Sequence, residues 1–181
     1  MSNPLNYDPY ARPSSEQEFG TKHPRRFEPS IKTIEATQPQ QRMRARVHQA
    51  AATQSIANNA ATTVVFDTVD FDTSGILTSN KFKIPVTGKI TGTWLFHAHV
   101  TWAAATAGLR EIDILADAAI IATGRDVGSA TDEQSQDLTI LVNDPIAGTL
   151  FSVQVKQTSG GGALNLNTSA TKTYFETIHL W

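Results

Sequence analysis

Six of the eight prolines fall within the first 46 residues, at Pro4, Pro9, Pro13, Pro24, Pro29 and Pro39. Each removes a backbone N–H donor and locks φ, so neither a helix nor a central strand can run through the segment. The same stretch holds a single glycine, Gly20, and no sustained apolar run. Residues 47–181 hold the other ten glycines and nearly all the Val, Ile and Leu, in short alternating stretches. Two parts are therefore expected: an extended, polar, Pro-rich arm over 1–46 and one β-rich domain over 47–181. A segment that cannot bury a core of its own orders only against another surface. That points to an anchored structural or binding protein before it points to an enzyme.

The arm carries spaced aromatics, Tyr7, Tyr10, Phe19 and Phe27, with Arg25 and Arg26 beside the last of them. Aromatic and Arg side chains on an extended chain suit a segment whose anchors enter pockets on a partner. These six residues are the candidate partner-binding set. The arm has eight basic and five acidic residues, a net of +3, and the domain seven basic and twelve acidic, a net of −5. Nucleic acid is not the expected partner, because the arm lacks a dense basic block and Glu16, Glu18, Glu28 and Glu35 dilute its charge.

In the domain, strands are expected over 44–51, 63–71, 81–86, 93–102, 109–115, 118–123, 137–142, 149–156, 163–167 and 172–181. The clearest is 93–102, where Trp94, Phe96, Ala98, Val100 and Trp102 share one face and Leu95, His97, His99 and Thr101 the other. Asp72-Thr73-Ser74-Gly75 and Asn143-Asp144-Pro145 read as turns, and Ala116-Asp117 as a hairpin turn. Residues 124–135 form the most loop-like stretch. Short strands without an amphipathic helix imply an all-β sandwich or barrel. The last strand carries large apolar groups on both faces, so one side is expected to meet the core and the other a second subunit. Its candidate interface residues are Tyr174, Phe175, Ile178, His179, Leu180 and Trp181.

The chain contains no cysteine, which excludes disulfides and thiolate metal sites. No basic segment followed by an apolar run opens the sequence, so no secretory signal is expected, and no 18-residue apolar stretch suggests a membrane span.

Three stretches resemble a known family: Phe71-Asp72-Thr73-Ser74-Gly75, Phe82-Lys83-Ile84-Pro85-Val86-Thr87-Gly88 and Gly92-Thr93-Trp94-Leu95-Phe96. They are similar to the F-x-x-P-x-x-G and G-x-Y-x-F steps of the tumour necrosis factor and complement globular-head jelly rolls, with Trp94 in place of the tyrosine. The chain carries both Gly88 and Gly92, as if four residues were inserted. Asn143-Asp144 and Thr173-Tyr174-Phe175 resemble the family's later turn and last-strand step. The resemblance implies a jelly-roll sandwich of about ten strands that forms a trimer around its last strands. Unsecreted versions of this fold resemble bacteriophage virion proteins. The arm has neither heptads nor repeats for a fibre shaft, so a trimer tied down by three arms looks more like a capsid decoration or cement protein.

Sites for chemistry are sparse. Asp70-x-Asp72-x-Ser74-Gly75 mimics the start of an EF-hand loop, but its twelfth position is Lys81 and no helices flank it. His97 and His99 share a strand face and are weak metal candidates, as are Asp70 and Asp72; a His pair facing solvent or a neighbouring subunit is the commoner arrangement. There is no G-x-S-x-G and no phosphate loop. No cofactor, metal dependence or enzymatic activity is expected. The expected function is a trimeric virion protein on the capsid surface, bound to the major capsid protein or another virion protein. The alternatives are a receptor-binding fibre tip, with 124–135 as its binding loop for a cell-surface receptor, and a carbohydrate-active enzyme.

Overall fold

The computed structural model describes residues 42–51, 53–86, 92–105, 108–129 and 131–180. The six arm candidates, from Tyr7 to Phe27, and Trp181 lie outside the described residues. Among the described residues, thirteen strands and no helix make up the fold. In chain order they are β1 (Arg44–His48), β2 (Ser55–Ile56), β3 (Thr62–Thr63), β4 (Thr68–Asp72), β5 (Leu77–Thr78) and β6 (Lys81–Lys83). There follow β7 (Thr93–Trp102), β8 (Leu109–Ala116), β9 (Ala119–Val127), β10 (Gln134–Asn143), β11 (Leu150–Thr158), β12 (Leu164–Asn165) and β13 (Tyr174–His179). Three two-residue pairings that alternation cannot reveal, β2, β3 and β5, account for the excess over the ten expected.

The first sheet has the order β10-β7-β13-β1-β4, and the second β5-β6-β11-β8-β9 with β3 also paired to β11. A short third sheet pairs β12 with β2. Strand pairing within every sheet is antiparallel. The all-β jelly-roll sandwich expected from the sequence is the fold observed.

The strand expected over 93–102 forms over those residues, and all five side chains of its apolar face are fully buried. Opposite them lie Ile112 and Ile114 of β8 and Phe151, Val153 and Val155 of β11. Aromatic rings bridge the layers: Phe96 stacks on Phe151 at 4.0 Å, and Phe175 of β13 lies 4.7 Å from Phe82 and 6.2 Å from Phe66. At one end of the core the buried Trp102 donates its indole N–H to Gln136 (2.8 Å), whose amide donates to the Arg110 carbonyl (3.1 Å). Burial lowers the pKa of the Arg110 guanidinium.

Three local expectations are corrected. The single strand over 63–71 is two strands in different sheets. Val64 N–H bonds Val153 in the second sheet and Asp67 N–H bonds His48 in the first, so the chain crosses the sandwich between them. Both crossing apolar residues, Val64 and Phe66, are buried, which mimics the alternation of a continuous strand. The hairpin turn sits one residue later, at Asp117-Ala118, with Asp117 at φ 54°. Half of residues 124–135, expected as loop, are strand: β9 runs to Val127 and β10 starts at Gln134. β9 is an edge strand in which Ile121 and Ala122 pack against the core while Arg125, Asp126 and Val127 are exposed, so its second half shows no period.

Candidate subunit interface

Alternation in β1 puts Ala45 and Val47 into the core and Arg44, Arg46 and His48 on the opposite face. β13 lies beside it in the centre of the first sheet, so its outward residues Tyr174, Glu176 and Ile178 fall in line with those of β1 and β7. Register then assembles three rows across the outer face. One is Leu141–Leu95–Ile178–Arg44, the second Thr139–His97–Glu176–Arg46 and the third Asp137–His99–Tyr174–His48.

The first row is largely apolar. Leu141 is 57% exposed, and Phe71 of the edge strand β4, 36% exposed, lies under the Arg44 guanidinium at 5.1 Å. A shallow cavity of about 210 Å³ opens between Arg44, Phe71, Leu95 and Ile178.

The other two rows form a connected charge network. His97 Nδ1 lies 3.0 Å from Glu176 Oε1, and its Nε2 lies 3.1 Å from Asp137 Oδ1. His99 Nδ1 lies 2.7 Å from the same Asp137 oxygen, and its Nε2 lies 3.3 Å from the Thr101 hydroxyl. Glu176 pairs with Arg46 at 3.9 Å, Arg46 with Asp70 at 3.3 Å, and Asp70 with His48 at 2.8 Å. Tyr174 sits in the middle, with Arg46 4.2 Å over its ring and the His99 ring stacked on it at 5.1 Å. Burial alone would raise the Asp137 pKa, but the hydrogen bonds and charges of His99 and His97 outweigh it and hold it below the ordinary value. Burial, with the charges of Glu176 and Asp137, raises the pKa of the Tyr174 phenol against the pull of Arg46.

The face divides the sequence-derived candidates. Tyr174 and Ile178 point outward and are half-buried, and Leu180 keeps their parity. Phe175, taken from the sequence as an interface residue, is fully buried within the single chain and belongs to the core. His179 also turns to the inner side, its ring 4.9 Å from that of Trp94. The four weak metal candidates have other partners. Asp70 meets Arg46 and His48, and the Asp72 carboxylate accepts the backbone N–H groups of Ser74, Ile76 and Leu77 at 3.3, 3.0 and 2.9 Å. Asp72 thus caps the turn, where Gly75 takes φ +64°. Among the described residues no three His, Asp or Glu side chains are arranged to hold a metal ion. Sequence reasoning missed Arg46, Asp137, Glu176 and Leu141 as members of the face. The alternation of β1 marks Arg46 as outward, but only long-range register shows what it meets.

No protein-family model matches the sequence, and no curated protein sequence matches it. Solved structures do. Murine APRIL matches with a TM-score of 0.56 at 10% identity, covering 77% of this chain and 100% of that one. Eiger TNF from S. frugiperda matches with a TM-score of 0.56 at 11% identity, covering 77% and 93%. The globular domain of zebrafish complement 1qA protein matches with a TM-score of 0.53 at 11% identity, covering 77% and 98%. At such identities the likeness is one of architecture, and this chain has the jelly-roll fold of the tumour necrosis factor and complement globular-head domains.

Proposed function

We propose that this chain is a non-enzymatic structural protein that assembles as a homotrimer through the outer face of its first sheet. Its arm, the Pro-rich residues that precede β1, holds the trimer on a bacteriophage capsid. The observation that carries the subunit reading is the make-up of that face. An exposed apolar row runs beside charges that are already paired within the chain. Apolar area gains from leaving water, and paired charges cost far less to bury than lone ones. Tyr174 and Ile178 of the central strand β13 are therefore the expected centre of the contact, with Leu95, Leu141 and Phe71 around them.

The arm's role rests on its sequence. Ordering a Pro-rich segment costs about 1–2 kcal/mol per residue in backbone entropy, which a large contact with a capsid protein would offset. The capsid surface fits an arm without a shaft better than a tail tip does.

Sedimentation of the full chain at micromolar concentration tests the assembly, with Ile178→Arg as the disrupting variant. A trimer that Ile178→Arg dissociates is expected, and a monomeric wild type sinks the reading. For the arm, deletion of residues 1–42 is expected to leave a folded trimer that no longer co-sediments with capsids. Unchanged capsid binding refutes the anchoring role, and binding to host cells instead favours a receptor-binding tip.

A further inference from the structure

We infer that self-association through this face is linked to protons, with His97 as the clasp. The inference rests on the subunit reading above and names how that contact would be regulated.

The observation is a mismatch of donors and acceptors. A neutral imidazole has one N–H and one lone pair, whereas an ionised carboxylate only accepts. Both His97 nitrogens face carboxylate oxygens, Glu176 at 3.0 Å and Asp137 at 3.1 Å. A neutral His97 between two ionised carboxylates turns its lone pair on one of them. The arrangement closes only with one additional proton, held by the imidazole or by a carboxylate. His99 is different: Asp137 takes one of its nitrogens and the Thr101 hydroxyl, able to donate or accept, takes the other, so the neutral ring is satisfied.

The groups facing His97 come from every neighbouring element. β10 supplies Asp137, β13 supplies Glu176 and Tyr174, and its own strand supplies His99. Behind Glu176 stands Arg46 of β1, itself paired with Asp70 of β4, which also meets His48. With all three histidines neutral, three carboxylates stand against one guanidinium. The network then carries a net charge of −2, counted over Asp137, Glu176, Asp70 and Arg46, and Arg44 of the first row brings the whole face only to −1. Covering this face with a second copy lowers the local dielectric, which penalises the surplus negative charge and the misplaced lone pair. The covered face therefore holds the clasp proton more tightly than the open one. Assembly takes up protons and strengthens as pH falls through the ordinary histidine range.

The test is sedimentation equilibrium of the full chain at pH 6 and pH 8. The wild-type association constant is expected to be about tenfold or more higher at pH 6. His97→Asn, which cannot carry the charge, is expected to remove that dependence. Glu176→Gln should weaken it, because an amide can donate to the lone pair of a neutral ring. His99→Asn should retain it. Equal association of the wild type at both pH values overturns the proposal while leaving the subunit reading standing, and so does pH dependence that survives His97→Asn. A protein monomeric at both pH values overturns the subunit reading and proton-linked assembly together.

Discussion

Replacing Phe175 by Ala separates the inner face of the last strand from the outer one. The ring is fully buried in the single chain and touches three other aromatics, Phe82 at 4.7 Å and Phe66 and Phe96 at 6.2 Å. Returning a buried Phe side chain to water forfeits about 1.5–3 kcal/mol. Loss of its closest ring partner adds about 0.5–1.5 kcal/mol. With the cavity left between two sheets that cannot close over it, the expected loss is about 3–5 kcal/mol. A domain of this size commonly has about 5–15 kcal/mol in total, so the variant stays folded but marginal. Urea unfolding followed by tryptophan fluorescence measures it, since Trp94 and Trp102 are both fully buried reporters. At a slope of about 2 kcal/mol per molar urea, the midpoint should fall by about 2 M with the slope unchanged. Repeating the titration over a range of protein concentrations separates the fold from assembly, because a core defect persists at every concentration. Ile178→Ala should do the reverse, shifting the midpoint little in dilute protein. A Phe175→Ala shift below about 0.5 M would refute the placement of this ring at the centre of the core.

Further outcomes follow from other side chains. Asp72→Ala removes the acceptor for three backbone donors in the turn after β4 and should cost about 1–3 kcal/mol in thermal or urea unfolding, whereas Asp72→Asn should cost less. The Asp137 pKa is lowered in the folded chain, so its ionised form adds stability that is fully present above the usual Asp value of about 3.9 and is lost as pH falls through the lowered one. Melting temperatures between pH 2 and 5 should therefore fall less steeply in Asp137→Asn. Chelator should leave the melting temperature unchanged, and a drop of many degrees with EDTA would show a metal site among the candidate carboxylates or histidines.

What could be read from the chain depended on how much of each signal was local. β7 was legible to its ends because Trp94 through Trp102 alternate over ten residues in the middle of a sheet, where one face must be apolar. The Asp72 turn was legible because its capping carboxylate and Gly75 lie within a few residues of each other. β9 was legible only in its first half, expected over 118–123, since its exposed end with Arg125 and Asp126 has no apolar face to show. The crossing at 64–67 was hidden because Val64 and Phe66 are both buried. The candidate face was half legible. Tyr174, Ile178 and the His97/His99 pair stood out, but 79 residues separate His97 from Glu176, and nothing local sets that register. Phe175 was assigned to the wrong side because apolar residues on both faces of a strand do not reveal which face turns inward.

The position of β13 also dictates when the protein can fold. It lies between β7 and β1, so the first sheet has no continuous hydrogen-bond ladder until residues 174–179 are in place. Arg44 pairs with Ile178 at nearly the full length of the domain, a loop closure that makes folding slow. Without β13, β10-β7 and β1-β4 are not joined, and each has an open edge where β13 inserts. Such edges recruit strands from other chains. A chain that lacks residues 174–179 therefore leaves two strand edges open, and placing β13 covers both at once.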